Sequence, residues 1–196
     1  MDHNVADPVD DPGDHLPTAS PHSNFSGVTL DSYQVSSLLL TNANRIFNKL
    51  DELSILLKSK CFDIVAITET WLSDDIPDSV VHVNEYSVFR QDRNGAIGGG
   101  VMCYISKNIF SRVLDLETRN DLNFEILWLL VRPMLLSRPL SIVIVAVLYC
   151  SPWYNADLCS KLSRYLVSCV DELYRKYNHP CFLIVGDFNS LDCNLF

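Results

Sequence analysis

From the stretch VSSLLLTNANRI onward, apolar residues fall along the chain in two rhythms. The first is a short unbroken run that stops abruptly at polar residues. FDIVAITET, NFEILWLLVRP, LSIVIVAVLYCSP and CFLIVGDFN all have this form, which marks strands covered on both faces. Val35 to Thr41 reads as a further strand, and YSVFRQDRNGAIGGGVMCYIS as two strands around an Asn94-Gly95 turn. The second rhythm has the helical period. Leu50, Leu53, Leu56 and Leu57 give one apolar face to a helix from Lys49 to about Lys60, with Asn48 as its cap. Leu158, Leu162, Leu166, Val170, Leu173 and Tyr177 do the same for residues 156–177, between Asn155 and Pro180. Strands dominate and two helices serve as crossovers. The expected class is α/β or α+β on a large mixed sheet.

Residues 122–150 are apolar enough to suggest a membrane span. Arg132-Pro133 and Arg138-Pro139 break the run into pieces too short to cross a bilayer, so two buried strands joined by a turn are expected, and no membrane partner. Residues 1–33 follow neither rhythm. They carry Pro, Asp, Ser and His, six acids and no Lys or Arg, and are expected to form a disordered acidic tail before a single body spanning 34–196.

The tail also explains the charge. The chain of 196 residues has a formal net charge of −9, of which the tail holds −6. The body is only mildly acidic and shows no basic stripe of the kind a nucleic-acid binder often carries. Seven cysteines, with no C-x-x-C pair and mostly inside apolar runs, read as reduced core residues of an intracellular protein.

The candidate chemistry lies where the strands end. Asn42 and Asn44 follow the first strand, Glu69 the second, Tyr149 the sixth, and Asp187 and Asn189 the last. Ligands of α/β sheets gather beyond the carboxyl ends of strands, and these groups suit a hard cation such as Mg²⁺ and phosphate-ester hydrolysis. Each taken singly is more often a turn residue, an Asx-turn or a strand aromatic; their convergence is what points to a site. Gly98-Gly99-Gly100 lacks the Lys-Ser/Thr of a phosphate loop and reads as a hairpin entrance. His82 and His179 read as solvated loop residues.

NANRIFNKLDEL, FDIVAITETWL, YSVFRQDRNGAIGGGVMCYIS, FEILWLLVRP, VIVAVLYCSP and FLIVGDFN occur in an order and spacing that resembles the endonuclease/exonuclease/phosphatase, or DNase I-like, superfamily. In detail they resemble the apurinic-endonuclease-like domain of LINE-type retrotransposons. The resemblance spans residues 35–190 and implies a layered sandwich of mixed β-sheets flanked by helices. It also implies Mg²⁺-dependent (or Mn²⁺-dependent) cleavage of phosphodiesters, with DNA as partner and access to nucleus or cytoplasm left open.

Carried over, Glu69 binds the metal and Asn42 bonds within the site. Tyr149 donates to a phosphate oxygen, Asp187 orients or deprotonates the attacking water, and Asn189 steadies developing charge. Asn44 stands where some relatives have an acid. Arg45-Ile46 replaces a frequent Ser-Leu. Family members continue past GDFN with a second half that supplies further ligands and an Asp-His pair. The resemblance therefore implies an amino-terminal half, inactive or nearly so alone, with an incomplete face open to a protein partner. Two alternatives stay open: a phosphoesterase of the same fold acting on inositol phosphates or lipid headgroups, and a non-catalytic relic or interaction fragment.

Overall fold

The computed structural model describes residues 37–189 and 191, apart from 94, 96, 135 and 137. The acidic tail and Val35 lie outside the described residues. Eight strands and two α-helices follow: β1 (Leu38–Asn42), α1 (Leu50–Lys58), β2 (Ile64–Thr68), β3 (Tyr86–Gln91), β4 (Val101–Ser106), β5 (Phe110–Val113), β6 (Glu125–Arg132), β7 (Ile142–Tyr149), α2 (Ala156–Lys176) and β8 (Pro180–Asp187). They form two four-stranded sheets rather than one, in the orders β1-β2-β4-β3 and β5-β6-β7-β8. Each sheet is mixed. The β1-α1-β2 and β7-α2-β8 units pair in parallel, and the remaining neighbours are antiparallel.

The unbroken apolar runs are explained by what lies on each face. Ile64 and Ala66 of β2, and Val101, Cys103 and Ile105 of β4, meet Leu127, Leu129, Val131, Val145 and Val147 of the second sheet. The alternate residues of the same strands face outward. Val65, Ile67, Met102 and Tyr104 pack on Leu53 and Leu57 of α1. Ile126, Trp128, Leu130, Ile144, Ala146 and Leu148 pack on Leu162, Leu166 and Leu173 of α2. The result is four layers, helix-sheet-sheet-helix. With both faces of a central strand covered, no polar alternation survives in its sequence. None of the six described cysteines forms a disulfide, and four of them are buried.

The structure departs from the sequence-based expectations at three places. Asn48 does not cap α1. Ile46 to Lys49 form a 3-10 turn, Lys49 occupies the N-cap, and no side chain caps it. The backbone N–H groups of Arg45 and Ile46 are tied to the carbonyls of Glu69 and Thr70 at 3.0 Å each, and this sets the turn before the helix can start. The β3–β4 connection is not a two-residue Asn-Gly turn. Gln91 pairs with Val101, so nine positions separate the two strands, and Asn94 lies outside the described residues. β5 was not anticipated, because an exposed four-residue edge strand carries no apolar run. β1 begins at Leu38 within the described part. The Asn155 cap of α2 is present, its Oδ1 accepting from the Leu158 N–H at 2.9 Å.

Candidate active site

Register brings the polar strand ends together. Within the first sheet Asn42 pairs with Thr68 and Thr68 with Val101; within the second, Glu125 pairs with Tyr149 and Tyr149 with Asp187. These residues are in phase with the side chains that fill the space between the sheets. Two rows therefore face each other at one end of the sandwich. A cavity of about 310 Å³ opens there between β1 and β8, lined by Leu40, Thr41, Asn42, Thr68, Gly186, Asp187 and Phe188.

Asn42 joins the rows. Its Nδ2 donates to Glu69 Oε1 at 3.0 Å and to Asp187 Oδ2 at 3.2 Å, one hydrogen to each carboxylate. Its Oδ1 accepts the N–H of Asn44 at 2.9 Å. The Asx-turn and the bonds to both carboxylates thus coexist in one side chain. Asn44 contributes its backbone there, and no side-chain hydrogen bond of Asn44 to Glu69 or Asp187 is found.

Tyr149 is 6% exposed, with the Glu69 carboxylate near its phenol. Burial, and after it the charge of Glu69, pushes the phenol well above its ordinary range, so it remains a donor at any physiological pH. Asn189 bonds back to the strands: its N–H donates to Asp187 Oδ1 at 3.2 Å and its Nδ2 to the Cys150 carbonyl at 2.8 Å. The Asn189 side chain is thereby fixed with one of its two amide hydrogens engaged. Asn42, Glu69, Tyr149, Asp187 and Asn189 meet at this end of the sandwich, with Asn44 joining through its backbone.

Sequence reasoning passed over Glu125 and Arg93. Glu125 opens β6 directly opposite Tyr149 and is 4% exposed. Its Oε1 accepts from Arg93 Nε at 2.7 Å and lies 2.6 Å from Nη2. A signal was available: Glu125 is in phase with the inward-facing Leu127, Leu129 and Val131. On the rim, Arg45 lies over the Trp71 ring at 4.8 Å, while Trp153 is 88% exposed just after β7. His179 directly precedes β8 and His82 lies shortly before β3, so both stand at the opposite end of the sheets from Asp187.

No family model matches the sequence, and no curated protein matches it. Solved structures do. The AP endonuclease LMAP of Leishmania major superposes with a TM-score of 0.61 at 16% identity, over 79% of this chain and 55% of that one. The catalytic domain of Xenopus laevis APE2 gives 0.56 at 14% identity, over 79% and 58%. The endonuclease domain of TRAS1, a telomere-specific non-LTR retrotransposon, gives 0.55 at 15%, over 79% and 60%. The chain has a DNase I-like fold. It spans a little over half the length of these structures. Within the DNase I-like sandwich the Asn42–Glu69–Asp187 cluster occupies the mouth between the two sheets. Among the described residues no helix is long and apolar enough to cross a membrane.

Proposed function

We propose that this site hydrolyses phosphodiesters with the help of a divalent cation, Mg²⁺ or Mn²⁺, and that its substrate class is DNA. The observation that carries the reading is the Asn42 amide shared between the Glu69 and Asp187 carboxylates. The donor set fits such a cation. Mg²⁺ takes one or two carboxylates and keeps several waters, and Glu69 and Asp187, with the Asn42 amide between them, supply that number. Glu69 would hold the ion, which when bound would supply charge neutralisation at the phosphoryl oxygens.

The remaining roles belong to the chain's own groups. Asp187, oriented by Asn42 and by the Asn189 N–H, holds the attacking water and accepts its proton. Tyr149 keeps its proton and offers it to a phosphate oxygen. The second amide hydrogen of Asn189 faces the charge that develops at phosphorus. An acid for the leaving oxygen is the group this end of the sandwich lacks among the described residues, since His82 and His179 stand at the other end. Turnover by the 196-residue chain is therefore expected to be slow.

DNA as substrate is supported by the AP endonucleases and the retrotransposon endonuclease domain among the matching structures. An inositol-phosphate or lipid-headgroup substrate remains the competing reading of the same fold. The outer edge of β8, the last strand of its sheet among the described residues, is where we place a protein partner.

The test is nicking of supercoiled plasmid by the full chain in Mg²⁺, beside Glu69→Ala, Asp187→Ala and an EDTA blank. Slow nicking that EDTA abolishes, and that each variant lowers by about 10²-fold or more, is the expected result. Cleavage indifferent to both substitutions, or none at all from a folded sample, overturns the reading. An abasic duplex set against an inositol phosphate then assigns the substrate.

A further inference from the structure

Glu125 is a carboxylate that the proposed reaction does not use, buried between the sheets within the row that holds Tyr149 and Asp187. A buried ion pair gives little net stability over an apolar pair of the same size, because desolvation offsets the attraction. What the pair does is connect. Oε1 of Glu125 takes the Arg93 fork, whose guanidinium carbon lies 5.7 Å from the centre of the Tyr149 ring. Oε2 accepts the Gly100 N–H. From there the glycine loop reaches the other sheet, where the Gly99 carbonyl accepts the Trp71 N–H at 2.9 Å and the Gly100 carbonyl the Thr70 N–H at 3.4 Å.

Thr70 and Trp71 directly follow Glu69. Glu69 and Trp71 both hold positive φ, 53° and 56°, a conformation that persists only where neighbours enforce it. The loop leaves no freedom either. A Cβ at Gly99 would collide with Glu125 and Arg93, and one at Gly100 with Thr70 Oγ1.

We infer that the Arg93–Glu125 pair is a positioning element for the site: Arg93 backs the Tyr149 ring, and Glu125, through Gly99 and Gly100, holds the backbone that aims Glu69. The inference rests on the reading of Glu69 as the metal-holding residue, but its Tyr149 arm is independent of any metal.

The experiment is NMR of the full chain labelled with ¹³C-tyrosine, with the Tyr149 signal assigned by its loss in Tyr149→Phe, and Mn²⁺ added as a broadening probe. In Glu125→Gln and Arg93→Met the Tyr149 ring signal is expected to move while those of Tyr86 and Tyr104, packed on the α1 side, stay put. The Mn²⁺ concentration needed to broaden Tyr149 is expected to rise at least tenfold. Arg93→Lys, which keeps the charge without the fork, is expected to recover part of both effects. A pair that only held the loop together would lower the melting temperature and leave these signals in place. Should Glu125→Gln not fold, the milder Arg93→Lys decides. A Tyr149 signal unmoved in every folded variant overturns the inference. If the wild-type chain shows no Mn²⁺ broadening but Tyr149 still moves in the variants, the metal reading falls and the positioning role stands.

Discussion

Asn44, Arg45, Glu69, Trp71 and Asn189 all hold positive φ just beyond the strand ends that carry the candidate site, and none is glycine. Each such residue costs about 1–3 kcal/mol unless its surroundings hold it, and the holders are visible. The Glu69 carbonyl takes the Arg45 N–H, the Trp71 N–H goes to Gly99, and Asn189 is tied at both its N–H and its amide. Five of the eight non-glycine residues with positive φ among the described residues thus lie in the loops that carry the candidate groups. Gly186 presents the opposite case, a backbone position no side chain can take. At φ 150° its Cβ would run into the Leu148 carbonyl of the neighbouring strand. Gly186→Ala is expected to cost about 2–4 kcal/mol in urea denaturation, and to displace the adjacent Asp187. At this scale the candidate residues themselves were legible in the sequence, because strand-terminal Asn, Glu, Tyr and Asp are local features. Arg93 and Glu125 were not. Their partnership depends on which strand lies opposite which, and a single Glu at the start of an apolar run does not reveal that.

The elements differ in how they end. α1 stops at Lys58, and Lys60 just beyond it takes φ 54° with its N–H on the Leu57 carbonyl, a place where glycine is the favoured residue. Lys60 is exposed, so Lys60→Gly is expected to stabilise the chain by about 1 kcal/mol, read as a higher thermal midpoint. α2 is tied laterally. Glu172 accepts the N–H groups of Glu117 at 2.9 Å and Thr118 at 2.8 Å, fastening the β5–β6 loop to the helix. Partial burial pushes its carboxyl up, but these two donors and Lys176 together hold it below the usual 4.5. A carboxyl depressed in the folded state adds stability above its unfolded pKa and loses it as pH falls through the folded value. Glu172→Gln is therefore expected to melt at a lower temperature than wild type at pH 7, by on the order of 1 kcal/mol of stability. The difference should shrink steadily below about pH 4. Helices and inner strands could be read from the sequence because burial on one or two faces writes a period. The α1 start and the β3–β4 loop could not, since backbone bonds to Glu69 and Thr70 and the Glu125 anchor decide them.

For the molecule as a whole, charge sits unevenly: six of the acids fall in residues 1–33, where no cation offsets them. If the site meets DNA, those acids oppose the approach from a distance. Removing residues 1–33 is expected to tighten DNA binding several-fold at low salt, an advantage that fades toward 0.5 M salt as screening takes over; a fluorescence-anisotropy titration at two ionic strengths reads both. The split into two sheets was expected from the family resemblance and not from the pattern of apolar runs, which is equally compatible with one large sheet. Only the pairing order separates them.

The hydrogen bond from Asn42 to Asp187 closes a separation of 145 positions along the chain. Contacts so remote in sequence carry a large loop-closure entropy and tend to form late, after hairpins and helix crossovers have already collapsed. Each sheet holds its own parallel crossover and antiparallel neighbours, so each has the means to assemble locally before the two dock. Neither carries a complete cluster by itself: Asn42 and Glu69 belong to one, Tyr149 and Asp187 to the other. A partly folded chain would thus show nearly all of its secondary structure while the carboxylates remained apart. In a refolding time course, chemistry at this mouth should be the last property to return.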